Sequence, residues 1–275
     1  MSIRAERVSY RYPGAGRPAL DAVSAEVEAG GLVVVCGKNG CGKTTLLRCL
    51  AGLARPSGGR ATIDGRAAEQ SRRRIGFAVQ FPERALFERT AFDDVAYWPR
   101  NMGMPAAEVE QRVSRAVEAV GLGPGMLGAS PRDLSYGQKR LLAIACAIAH
   151  GPVYLFLDEP AAGLDGRGRG QIADLIGRLN RGGTTVVAAS HDPAGLLDQC
   201  SRLIALDDGR VIASGPPSYA IARSAGIRSD TMQLAEALAR RGLDVGETFS
   251  PETLADRIAG RVAGHNADGS PEAPR

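Results

Sequence analysis

A chain of 275 residues with 44% hydrophobic and 23% charged residues can bury one sizeable core, or two modest ones, and stay dispersed. Its formal net charge is only +4 and its arginines are spread out, Arg72, Arg73 and Arg74 forming the one tight cluster, which argues against a nucleic-acid partner. The five cysteines (Cys36, Cys41, Cys49, Cys146 and Cys200) contain no CxxC pair, which argues against a disulfide framework or a zinc site, and the longest apolar run, 141–149, falls well short of the roughly 20 residues of a membrane span.

In chain order, residues 1–8 carry charges unlike a signal peptide. Residues 3–12 alternate as a half-exposed strand does, and Pro13, Gly14 and Gly16 turn the chain. The apolar run 32–36 predicts a buried strand, followed by a glycine-rich turn and a helix over 44–53. A short strand is expected at 75–79. Val109, Val113, Ala116, Val117 and Val120 give 106–120 a helical period. The segment 121–131 is irregular. Its Gly123-Pro124-Gly125-Met126-Leu127-Gly128 fits G-x-G-x-x-G literally, but it follows a helix and contains proline, so it is read as a loop. A strongly apolar helix spans 136–150, and a buried strand at 153–157 ends in Asp158-Glu159-Pro160. A helix at 166–179, a strand at 184–189 and a hairpin around Asp207-Asp208-Gly209 follow. This alternation predicts an α/β domain with a largely parallel sheet over residues 1–213. Beyond Gly215-Pro216-Pro217 the character changes. Short helices near 232–240 and 251–262 make 214–263 a helical extension, and the polar tail 264–275 is expected to be disordered.

Gly37-Lys38-Asn39-Gly40-Cys41-Gly42-Lys43-Thr44 fits the phosphate-loop pattern G-x-x-x-x-G-K-[ST], between a predicted strand and a predicted helix. Glycines let successive backbone N–H groups converge on a triphosphate, and the helix N-terminus adds its partial positive charge. Lys43 supplies a point charge for the β- and γ-phosphates and Thr44 a hydroxyl for Mg²⁺. Lysine occurs elsewhere only at Lys38 and Lys139, so its presence here is informative. Hydrolysis also needs a metal-binding carboxylate and a base. Asp158 and Glu159, at the carboxyl end of a buried strand, are assigned to Mg²⁺ and to the base respectively. His191, at another strand end, is assigned as a γ-phosphate sensor. Asp93-Asp94 and Asp207-Asp208 are read as solvated carboxylates, and His150 and His265 as structural.

Together these motifs resemble the ATP-binding cassette (ABC) proteins. Asp133-Leu134-Ser135-Tyr136-Gly137-Gln138 is similar to the family's signature, Gln80 to its Q-loop glutamine, Asp158-Glu159 to Walker B, Gly163-Leu164-Asp165 to the D-loop, His191 to the H-loop, and Tyr12 to the aromatic that stacks on adenine. The resemblance implies a P-loop NTPase cassette with a mostly parallel core sheet, an antiparallel β subdomain and an inserted helical subdomain at about 90–150. It also implies nucleotide contacts from Tyr12, Gly37, Asn39, Gly40, Cys41, Gly42, Lys43, Thr44 and Thr45. Gln80 joins Thr44 and Asp158 at Mg²⁺, and Glu159, Gln80 and His191 form the catalytic set. Cassettes of this family work as head-to-tail dimers, so Ser135, Gly137 and Gln138 would meet the ATP held by a second ATPase, identical or paralogous. Gln80-Phe81-Pro82-Glu83, Leu86-Phe87-Glu88-Arg89-Thr90 and Asp94-Val95-Ala96 resemble the ATPases of energy-coupling factor (ECF) importers, cobalt- and nickel-type ones included. That implies a place on the cytoplasmic face of the membrane, a transmembrane coupling protein, a separate substrate-binding membrane protein, and uptake of a vitamin or transition-metal ion. The ATPase of another ABC importer or exporter, or a soluble ABC protein, remains open. The chain departs from the pattern at Tyr136, where the signature has its first glycine, and at Ala85, where ECF ATPases often carry Gln. The segment 214–263 is expected to strengthen the ATPase dimer.

Overall fold

The computed structural model describes residues 2–267. The chain opens with β1 (Ser2–Tyr10), β2 (Leu20–Glu28), β3 (Leu32–Cys36) and α1 (Lys43–Leu50), followed by β4 (Gly58–Ile63), β5 (Arg66–Ala67) and β6 (Ile75–Ala78). Three helices, α2 (Ala91–Asn101), α3 (Ala106–Ala119) and α4 (Tyr136–Ile148), lead to β7 (Tyr154–Asp158). Then come α5 (Gly166–Arg181), β8 (Thr185–Ser190), α6 (Ala194–Leu197), β9 (Arg202–Asp207) and β10 (Arg210–Gly215), and finally α7 (Tyr219–Ser224), α8 (Asp230–Arg240) and α9 (Pro251–Ala267).

The strands form two sheets. A six-stranded one has the order β10-β9-β3-β8-β7-β6, parallel except for the β9–β10 hairpin. A four-stranded antiparallel sheet has the order β2-β1-β4-β5. The central strands β3, β7 and β8 are buried throughout, as their continuous apolar sequences require of strands covered on both faces. Alternate residues then serve different cores. Val33, Val35, Tyr154, Phe156 and Val187 face α1 and the antiparallel sheet. Val34, Leu155, Leu157, Val186 and Leu203 face the helices from α2 to α5. Tyr219, Ala222, Met232, Phe249 and Leu254 of the C-terminal segment join that second core, so the extension packs into the domain. The last helix continues through Ala267, and the remaining part of the tail expected to be disordered, residues 268–275, lies outside the described residues. Among the described residues no helix is long and apolar enough to cross a membrane.

The reading of the sequence missed β2, β4, β5, α2, α6 and α7, and for three of these the local cause is plain. In β2 the period of two is broken where Ala22 takes φ 50° and the pairing register with β1 shifts. β4 begins with two glycines, which pattern reading treats as turn residues. α2 carries Pro99 inside, a residue expected to end a helix. Asp94 also departs from expectation. It is buried, and its Oδ1 accepts the N–H groups of Phe87 and Glu88 at 3.0 and 3.1 Å. Burial pushes its carboxyl up, those hydrogen bonds only partly opposing the rise.

Candidate active site

Three parallel strands, β3, β7 and β8, deliver their carboxyl ends to one place. After β3 the chain turns at Gly37 with φ 143°, and a Cβ there would lie 2.2 Å from the Leu206 carbonyl oxygen, so only glycine fits. The loop then folds over the N-terminus of α1. Lys43 turns back into it, donating to the carbonyls of Gly37 and Lys38 at 2.8 and 3.1 Å, with its Nζ 3.4 Å from Glu159 Oε1. Both of these side chains are almost fully buried.

Thr44 donates from Oγ1 to Asp158 Oδ1 at 2.9 Å. Burial pushes the Asp158 carboxyl above its ordinary value. The Thr44 hydroxyl opposes the shift and the neighbouring Glu159 charge adds to it. Glu159 follows with φ 49°, an uncommon conformation for a non-glycine residue and costly by about 1–3 kcal/mol. Its N–H is tied to the Ala189 carbonyl of β8 at 2.9 Å. Its Oε2 accepts from the backbone N–H of His191 at 3.2 Å and from His191 Nδ1 at 2.8 Å. Since a carboxylate only accepts, this contact puts a proton on Nδ1. The half-exposed imidazole keeps Nε2 for another partner.

These groups open onto a cleft of about 510 Å³ lined by Tyr12, Asn39, Gly40, Gly42, Lys43, Thr44, Thr45, Gln80 and Glu159. Tyr12 is partly exposed, and its hydroxyl lies 3.0 Å from Thr45 Oγ1. Asp158 reaches this group through Thr44, and His191 through Glu159. Cys41 is placed differently: its sulfur sits beneath the loop, 2.8 Å from where a Gly37 Cβ would be, and burial raises its thiol pKa. Ser135, Gly137 and Gln138 are not among the residues lining the cleft. They start α4 in a capping box, with Ser135 Oγ accepting from Gln138 N at 3.3 Å and Gln138 Oε1 from Ser135 N at 2.9 Å.

The cleft also has walls that the sequence reading missed. Ala15, Arg17, Pro18, Ala19 and Asp208 line it, with Arg17 and Asp208 paired at 3.0 Å at an exposed position. Asp208 arrives because the β9–β10 turn docks on both the phosphate loop and β2. Gly209 N donates to the Cys41 carbonyl at 3.0 Å and Asp21 N to the Gly209 carbonyl at 2.9 Å. No local pattern announces such a contact between distant segments.

Residues 20–162 match the family profile described as ABC transporter. The chain is 38% identical to the energy-coupling factor transporter ATP-binding protein EcfA2 of Symbiobacterium thermophilum, over 98% of this chain and 100% of that protein. The structure of cbiO1 from Clostridium perfringens, described as part of the ABC transporter complex cbiONQ, superposes with a TM-score of 0.74 at 30% identity, covering 87% of this chain and 96% of the other. The ATP-binding cassette MJ0796, in a dimeric post-hydrolysis state bound to ADP and Pi, gives a TM-score of 0.72 at 27% identity, covering 78% of this chain and 99% of its own.

Proposed function

The chain belongs to the ABC transporter family and is one of its ATPases, and from that premise we propose that it powers an ECF-type importer of a vitamin or transition-metal ion as one of two ATPase subunits. The observation that carries the catalytic part is the convergence of Lys43, Thr44, Asp158, Glu159 and His191 at the ends of three parallel strands. Ligands of open α/β sheets gather at such strand ends.

ATP enters with its triphosphate against the loop 37–44 and its base beside Tyr12. Phosphate oxygens compete with Glu159 for Lys43, which frees the carboxylate. Glu159 then takes a proton from a water whose oxygen bonds to the γ-phosphorus as the bond to the β-phosphate oxygen breaks, releasing ADP and phosphate. His191 holds Glu159 Oε2 in place through two donors and offers Nε2 to the γ-phosphate. Thr44 and Asp158 suit Mg²⁺: two hard oxygen donors already lie 2.9 Å apart, and a buried carboxylate with a raised pKa gains from a nearby cation. When bound, the ion would neutralise charge developing on the phosphates, with Gln80 at the cleft wall completing its surroundings.

Ser135, Gly137 and Gln138 enter the chemistry from a second subunit. They lie outside this chain's own cleft, at the N-terminus of a 13-residue helix suited to an anion, and the similar cassette MJ0796 is described as dimeric. The importer assignment rests on likeness to EcfA2 over the whole length of both chains, extension included. A transmembrane coupling protein and a substrate-binding membrane protein would hold the chain at the cytoplasmic face of the membrane, and the extension would reinforce the ATPase pair.

Gel filtration with light scattering on Glu159→Gln tests the shared site. A dimer that forms only with ATP and Mg²⁺ supports it. A monomer, alone and with its co-purified membrane partners, rejects it. Co-purification of a coupling protein with neither vitamin nor metal uptake would redirect the reading to another ABC transporter.

A further inference from the structure

Arg140, one turn into α4, is 2% exposed, among the most deeply buried side chains of the molecule. Its partners are neutral oxygens from three separate segments. Nη1 donates to the carbonyls of Gln80 at 2.5 Å and Val79 at 3.4 Å. Nη2 donates to the Ala162 carbonyl at 3.0 Å and to the phenol oxygen of Tyr136 at 2.5 Å. Its Nε is buried without a partner, and the guanidinium carbon lies 5.3 Å from the centre of the Tyr136 ring. The ring in turn rests on Gly163. That residue has φ 78°, and a Cβ there would be 3.0 Å from Tyr136 Cε1.

A buried cation held by carbonyls cannot release one of them cheaply, because a charged donor is then left unpaired in the interior. The segment at 79–80, the turn after Glu159 and the start of α4 therefore share one anchor. Gln80 faces this chain's own nucleotide cleft. Ser135 and Gly137, at the start of α4, face the nucleotide of the second subunit in the dimer proposed above.

We propose that Arg140, braced by Tyr136, is a positioning residue that couples occupancy of the chain's own cleft to the placement of the α4 N-terminus serving the second subunit's ATP. The inference rests on that two-site dimer. It also gives the unusual Tyr136 a role: its side chain folds back onto Arg140 and Gly163 and braces the guanidinium.

The test compares Tyr136→Phe and Arg140→Lys, each in the full-length Glu159→Gln chain. Phe keeps the ring but lacks the oxygen that accepts from Arg140; Lys keeps the charge but lacks the fork. Two quantities are read: affinity of the dilute monomer for a fluorescent ATP analogue, and the ATP concentration that half-assembles the dimer. Coupling predicts monomer affinity within about twofold of the parent and a shift of roughly fivefold or more in the assembly midpoint. Steady-state hydrolysis by each variant with Glu159 restored should rise less steeply with ATP. Unchanged midpoint and steepness would overturn the proposal, as would an equal loss of monomer affinity, which marks a merely structural role. If the Glu159→Gln parent itself fails to assemble with ATP, the two-site reading falls, and the failure shows in the parent before any variant is compared.

Discussion

Replacing Glu159 by Gln keeps the shape of the side chain and, through its amide oxygen, the ability to accept from His191, while removing the carboxylate assigned to take a proton from water. A positioned base contributes about 10²–10⁴ in rate, so turnover should fall by that factor, or about 3–5 kcal/mol in the barrier. Nucleotide binding should move the other way. Lys43 Nζ lies 3.4 Å from Glu159 Oε1 with both groups buried, so the carboxylate competes with incoming phosphate for one ammonium. The amide does not compete as an anion, and the variant should bind ATP at least as tightly as the parent. Phosphate release under saturating ATP and calorimetric titration of ATP measure the two effects. Turnover within threefold of the parent would refute the base assignment (threefold is only about 0.6 kcal/mol of barrier). A parallel loss of affinity would refute the competition for Lys43.

Further expectations follow from the same geometry. Lys43→Ala should abolish ATP binding and also lower stability, because Glu159 is left buried without its cation, an effect of about 3–5 kcal/mol measurable by urea unfolding. Gly37→Ala places a Cβ 2.2 Å from the Leu206 carbonyl oxygen in a left-handed backbone, and should destabilise the chain by about 4 kcal/mol or more in the same assay. At Asp64, burial raises the carboxyl pKa, but hydrogen bonds from Tyr154, Arg74 and the Ser2 N–H outweigh it and hold the group below its ordinary 3.8. A depressed folded-state pKa gives stability that is complete above the unfolded value and lost as pH falls through the folded one. The stability advantage of the parent over Asp64→Asn should therefore be constant above about pH 5 and shrink below pH 4. An advantage that grew on acidification would show the sign to be wrong. Tyr12→Ala should weaken ATP binding by about 1–3 kcal/mol with turnover at saturation little changed, as read by titration against hydrolysis at high ATP.

The legible parts of the site are those whose chemistry is written locally. The phosphate loop is eight consecutive residues between a buried strand and a helix, and Asp158-Glu159 ends an apolar run that can only be a central strand or a buried helix segment. The illegible parts depend on distant segments meeting. Arg17 and Asp208 come to the cleft mouth through the docking of the β9–β10 turn, and Arg140 reads as an ordinary helix arginine until its carbonyl partners at 79, 80 and 162 are in place. Asp94 reads as half of a solvated pair because nothing local says that the backbone of Phe87 and Glu88 folds over it. In the fold, β2 was obscured by its register shift, β4 by its glycines and α2 by its proline. Composition placed the extension after residue 213 but was silent on where its apolar residues go.

Those apolar residues bear on how the protein is made. Tyr219, Ala222, Met232, Phe249 and Leu254 close the same core as Leu197, Leu203 and Ala205. Asp198 fastens the joint, accepting from Phe249 N and Ser250 N at 2.9 and 2.6 Å. A ribosome adding about 5–20 residues per second finishes β10 several seconds before the residues that seal its neighbours emerge. During that interval the nascent cassette has its phosphate loop and every strand of both sheets, yet one apolar flank is bare. That gives a window for chaperone capture, and a premature stop in this region would leave the flank permanently open to aggregation.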